Sequence, residues 1–171
     1  MTQESQLTNS LEAANALANA LLRSGTVSGF TIREMGWSIT FSLSKRVSGL
    51  VGTNNMILEE SCQEEAFASS GSRIFHPSAI RDHFLANTVS EVHIGERSEL
   101  SLLFTNGGLI RFTTAKPSMD WEWTILPEDE YLRNCLSIVS VQGEEVWTRY
   151  PIKLLNWMFD TPIEDQTRGE V

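Results

Sequence analysis

The sequence predicts an α+β fold built around an antiparallel β-sheet, in one domain covering residues 1–171. Three observations predict it. The stretch from Leu11 to Arg23 is rich in Ala and Leu and repeats its apolar residues at helical spacing. Several later runs alternate apolar and polar residues, the pattern of a strand with one buried face and one wet face. Asn106 and Gly107 stand between two such runs, and Asn-Gly flanked by strand patterns is a strong hairpin signal.

In chain order, residues 1–8 are polar and are expected to form a disordered tail. Asn9 or Ser10 can cap the first helix by accepting a backbone N–H. Leu11, Ala14, Leu17, Ala18, Leu21 and Leu22 make its apolar stripe, with Asn15 and Asn19 lying off it. Arg23 suits the negative end of the helix dipole, and Gly25 is the expected stop. The period then switches to two. Phe30 and Ile32 alternate with polar neighbours, then Trp37, Ile39, Phe41 and Leu43 do the same, with a turn at Glu34, Met35 and Gly36. Val47 to Asn55 reads as a loop, Met56 to Leu58 as a short strand, and Ser61 to Ser72 as a long loop. Pro77 fits the first turn of a central helix ending near Asn87, with Ile80, Phe84 and Leu85 turned inward.

Leu100 to Phe104, Leu109 to Thr114 and Trp121 to Ile125 are expected to be three consecutive strands of a meander. Glu128 to Cys135 reads as a helical turn with acidic residues at its start, as the dipole prefers. Leu136 to Val141 and Val146 to Tyr150 read as strands, Leu154 to Phe159 as a short C-terminal helix, and 161–171 as a disordered tail. An internal repeat accompanies this layout. Val27, Ser28, Phe30 and Ile32 match Val89, Ser90, Val92 and Ile94, each set preceded by a helix and followed by an alternating strand. Two similar helix–hairpin units pairing into one sheet are the expectation.

A formal charge of −9 repels nucleic-acid phosphates and anionic lipid headgroups, and favours a basic protein partner or simply solubility. Nucleic acid and membrane are therefore not expected partners. No apolar run reaches the roughly 18 residues that span a bilayer. The N-terminus lacks a basic region followed by an apolar stretch, so a cytoplasmic location with reduced thiols is expected.

The residues that carry most site chemistry are not organised. His76 and His83 are separated by two helical turns, about 10 Å of rise, too far to share a metal ion. His93 falls on the wet face of a strand. Cys62 lies among Glu59, Glu60, Glu64 and Glu65, which disfavour a thiolate, and Cys135 sits in an apolar stretch. No nucleophile elbow, phosphate-binding glycine loop, dinucleotide fingerprint or zinc spacing is present. The expectation is a protein that is not an enzyme and needs no metal or cofactor.

The candidate protein-binding residues are the acidic ones: Glu59, Glu60, Glu64 and Glu65, then Glu122, then Glu128, Asp129 and Glu130. The alternative is a small-ligand pocket lined by Trp37, Trp121, Trp123 and Trp147, since tryptophan serves both cores and binding sites. Self-association as a homodimer through a sheet edge is also open.

From Leu100 to Leu126 the residues read L-S-L-L-F-T-N-G-G-L-I-R-F, a turn, then W-E-W-T-I-L. This layout resembles small acidic immunity-type proteins of bacterial toxin systems and the uncharacterised domains related to them. The resemblance covers about a sixth of the chain and singles out no binding residue. It implies tight binding to a cognate toxin, which suits an acidic surface because many nuclease toxins are basic.

Overall fold

The computed structural model describes residues 5–33, 36–43, 55–60, 67–70, 73–75, 77–112, 121–141 and 145–152. Its strands are β1 (Ser5–Thr8), β2 (Thr26–Arg33), β3 (Gly36–Ser42), β4 (Asn55–Glu60), β5 (Phe67–Ser70), β6 (Arg73–Phe75), β7 (Val89–Ile94), β8 (Leu100–Phe104), β9 (Gly108–Phe112), β10 (Trp121–Pro127), β11 (Ser137–Val141) and β12 (Glu145–Pro151). Its helices are α1 (Leu11–Leu22) and α2 (Pro77–Phe84), with one 3₁₀ turn at Glu130–Leu132. The fold is α+β with antiparallel sheet, as the alternation predicts. The strands form a seven-stranded sheet in the order β1-β12-β11-β10-β4-β3-β2 and a five-stranded sheet in the order β6-β5-β9-β8-β7.

Helix α1 forms where its sequence directs. Ser10 is the cap, its hydroxyl accepting from the Ala13 N–H at 3.2 Å. Ala13, Ala14, Leu17, Ala18, Leu21 and Leu22 are all buried. The stop differs from expectation. Ser24, not Gly25, takes the left-handed backbone, at φ 69°, while the Gly25 N–H closes back on the Leu22 carbonyl at 2.8 Å. Asn15 and Asn19 do more than decorate the far side of the helix. The Asn15 amide donates to the Ile94 carbonyl at 2.9 Å and accepts from the Ile94 N–H at 2.8 Å. Asn19 does the same for Val92, at 2.6 and 2.9 Å. A primary amide carries the same donor and acceptor as a peptide unit. Two asparagines one helical turn apart therefore stand in for a neighbouring strand and close the edge of β7.

Four expectations are corrected. Ser5–Thr8 is no tail: β1 pairs with β12 along its whole length, from Ser5 opposite Pro151 to Thr8 opposite Thr148. Its S-Q-L-T shows no apolar–polar alternation for a sequence reading to detect. The long loop from Ser61 contains β5, held between β6 and β9 with Ala68 fully buried. The meander does not form. β8 and β9 are a hairpin of the five-stranded sheet, but β10 pairs with β4 and β11 in the seven-stranded one. Alternation reports a buried face, not which sheet supplies the neighbours. For the same reason the two helix–hairpin units lie in two sheets, β2–β3 in one and β7–β8 in the other.

The hairpin turn between β8 and β9 also uses its residues differently. Only Gly107 adopts positive φ, at 82°. Asn106 instead uses its side-chain oxygen to accept the Gly108 N–H at 2.9 Å. Asp129 caps the 3₁₀ turn, its carboxylate accepting from the Tyr131 N–H at 3.0 Å, as an acidic turn start requires. The expected C-terminal helix at 154–159, the tail at 161–171 and the turn at Glu34 and Met35 lie outside the described residues.

One buried cluster draws on both sheets and both helices. It includes Leu17 and Leu22 of α1, Phe84 of α2, Phe41, Met56, Leu58, Trp123 and Ile125 of the larger sheet, and Phe104 and Phe112 of the smaller. Each such side chain contributes on the order of 1.5–3 kcal/mol by leaving water. Where α2 meets the smaller sheet, the Phe84 ring lies 4.9 Å from that of Phe104. A Cβ on Gly108 would come within 2.5 Å of the Phe84 ring, so glycine permits that close approach. No described helix is long and apolar enough to cross a membrane.

Candidate functional site

The seven-stranded sheet has an inner face in the core and an outer face. Trp123 and Ile125, Ile138 and Ser140, Val146, Thr148 and Tyr150, Met56 and Leu58, and Ile39 and Phe41 are buried inward. Period-two alternation then puts Ser38, Thr40, Ile57, Glu59, Thr124, Leu126, Val139, Trp147 and Arg149 on the outer face. The register aligns them in rows. One row runs Thr31, Ser38, Glu59, Thr124, Val139, Trp147. A second contains Gly29, Thr40, Ile57 and Leu126.

An antiparallel strand with a wet outer face carries polar residues there. Here Ile57, Leu126 and Val139 on the adjacent strands β4, β10 and β11 are apolar and half-buried, and half-buried Trp147 extends the strip onto β12. The Trp147 indole N–H donates to the Glu145 carboxylate at 3.0 Å, which fixes the ring relative to its own strand. Within the strip Thr124 is only 7% exposed, and its hydroxyl has no hydrogen-bond partner among the described residues.

Two of the sequence-predicted acidic residues border this strip, from clusters 69 positions apart (Glu59 and Glu128). Glu59 stands beside Thr124 in the first row. Glu128 sits past the end of β10, where its carboxylate accepts from the Asn55 side-chain amide at 2.6 Å and its N–H donates to the Asn55 carbonyl at 3.1 Å. Asn55 in turn accepts from the Ser42 hydroxyl at 3.3 Å. Positions 55 and 59 are four strand residues apart, so the two carboxylates bracket the Ile57–Leu126 row over roughly 13 Å, while Val139 and Trp147 lie beyond Thr124 in the row of Glu59. Asp129 is committed to its cap, Glu130 is exposed, and Tyr131 beside it is 92% exposed. Glu60 pairs in register with Trp37 and Trp123, and Glu122 lies on β10 next to them. Glu64 and Glu65 lie outside the described residues.

The four tryptophans of the alternative pocket come from strands that meet at one end of this sheet, since Trp37 and Trp123 both pair with Glu60, Trp121 with Val141, and Trp147 with Val139. Trp123 is fully buried, and its indole N–H donates to the Ser98 carbonyl at 2.7 Å. The Ser98 hydroxyl accepts from Ser140 at 3.1 Å. Ser98 lies in the turn between β7 and β8, so this group ties the two sheets together. Trp123 is thus part of that tie and has no surface to offer solvent.

His93 is exposed on β7, and the His83 ring meets Phe84 edge-on at 4.8 Å. The half-buried Cys135 thiol donates to the Leu132 carbonyl at 3.2 Å. Among the described residues, no three His, Cys, Asp or Glu side chains are grouped as a metal site. Sequence reasoning found the carboxylates but missed the strip between them. The signal was present in Met56-Ile57-Leu58, Ile125-Leu126 and Ile138-Val139, where consecutive apolar residues give a strand two apolar faces. The chain matches no protein-family model, no curated protein and no solved structure.

Proposed function

We propose that this is a non-enzymatic protein-binding domain that holds a basic partner against the outer face of its seven-stranded sheet, in the manner of an immunity or inhibitor protein. One observation carries the reading. A strip of half-buried apolar residues, Ile57, Leu126, Val139 and Trp147, is bordered by the carboxylates of Glu59 and Glu128 on a chain of net charge −9. Interfaces place apolar and aromatic residues centrally with charge at the rim, and like that rim these carboxylates would steer an oppositely charged partner. The immunity-type resemblance adds little, because the three-strand meander on which it rests is divided between two sheets.

The test is capture by the tagged, intact chain from a lysate of its own cells, at low and high salt. The reading expects one stoichiometric basic protein that salt releases, because exposed charge pairs are screened over a Debye length of about 8 Å at physiological ionic strength. A chain ending at Ile152 should capture it equally well. Loss of capture on that truncation would move the interface to residues 153–171.

A further inference from the structure

Around the contact between the two sheets, hydrogen bonds recur in pairs. Thr26 on β2 bridges Thr88 just before β7, with their hydroxyls 3.3 Å apart. On one side the Ser24 N–H donates to the Val89 carbonyl and the Val27 N–H to the Asn87 carbonyl. On the other, the Ala86 N–H donates to the Val27 carbonyl and the Val89 N–H to the Gly25 carbonyl. Raising each residue number of the first unit by 62, and lowering each of the second by 62, converts one pair of bonds into the other. The same shift carries the end of α1 onto the end of α2: Arg23 to Asn19 becomes Leu85 to Arg81, and Gly25 to Leu22 becomes Asn87 to Phe84. Ser24 and Ala86, at φ 69° and 66°, are twins, and both hairpins bulge at the twin step, Val27/Gly29 and Val89/Glu91. The Ser28 hydroxyl donates to the Thr40 carbonyl as the Ser90 hydroxyl does to that of Leu103.

The exchange of strands follows the same symmetry. β5 comes after β4 in the chain but pairs with β9, and β10 comes after β9 but pairs with β4. In the larger sheet β10, β11 and β12 of the second half lie between β1 and β4 of the first. In the smaller sheet β5 of the first half lies between β6 and β9 of the second. The β11–β12 hairpin has no twin among the described strands and is inserted between β10 and the edge strand β1. The symmetry also breaks at the asparagine clamp, since the positions on α2 that correspond to Asn15 and Asn19 hold Pro77 and Arg81.

We infer that the chain is a fused dimer: two like units, residues 1–71 and 72–171, related by an approximate two-fold axis at the Thr26–Thr88 bridge, each donating a strand to the other's sheet. The covalent link between β5 and β6 is then dispensable once the chain has folded. A protease site placed between Gly71 and Ser72 and cut after folding tests this, together with Thr26→Cys/Thr88→Cys in the same chain. The cut halves should elute together, 1:1, at the mass of the intact chain, and separate only in denaturant. Mild oxidation should join them through a 26–88 disulfide located by peptide mapping. Halves that separate under native conditions would overturn the inference. Should the inserted site prevent folding, the cysteine pair in the uncut chain decides: failure to form the 26–88 link in a folded protein also overturns it.

Discussion

Ser24 and Ala86 hold a left-handed backbone without being glycine. A side chain there costs roughly 1–2 kcal/mol, partly offset by the greater freedom glycine has when unfolded. Ser24→Gly and Ala86→Gly should therefore each leave stability unchanged or raise it by up to about 1 kcal/mol, read from urea denaturation. A different residue-scale cost sits at Thr148, which is fully buried and whose hydroxyl has no hydrogen-bond partner among the described residues. An unmade buried bond costs about 1–3 kcal/mol, so Thr148→Val should be neutral or stabilising by about 1 kcal/mol in the same assay. A clear loss of stability would mean that the hydroxyl is satisfied. Neither site could be read from the sequence. Nothing in R-S-G marks Ser24 rather than Gly25 as the left-handed residue, because the αL position depends on how the following strand must leave the helix.

At the scale of elements, the clamp of α1 on β7 makes the sharpest prediction. Replacing Asn19 by Leu keeps the helix but strands the Val92 N–H and carbonyl, both of which the amide now satisfies. The expected loss is about 2 kcal/mol, with Asn15→Leu similar. Equal stability of Asn19→Leu and wild type would mean that water replaces the amide at that edge. Elements held by their own pattern were legible: α1 by its apolar stripe, α2 by Pro77, and β3, β8 and β9 by alternation. Elements held only by neighbours were not. β1 and β5 are four residues each, with few apolar side chains, and exist because β12, β6 and β9 offer backbone partners. β10 was legible as a strand but not as a member of the other sheet, since register and sheet membership are tertiary properties.

At the scale of the whole molecule, the pairing of β4 with β10 inside the seven-stranded sheet brought Glu59 and Glu128 to one face, with Ile57 and Leu126 between them and Val139 and Trp147 alongside. The charge that suggested a basic partner is spread along the sequence; the surface that could receive one exists only after β4, β10, β11 and β12 become neighbours. Exposed Glu91, on β7 of the other sheet, carries the same charge in a different place and is the natural control. The decisive measurement is capture from lysate by three baits at low salt: wild type, Glu59→Lys/Glu128→Lys, and Glu91→Lys, each first shown to be folded. The account predicts that wild type and Glu91→Lys recover the same basic protein and that the double variant recovers at least about tenfold less, a loss of 1.4 kcal/mol or more. A double variant that captures as well as wild type, or a wild-type bait that recovers no partner, would contradict it.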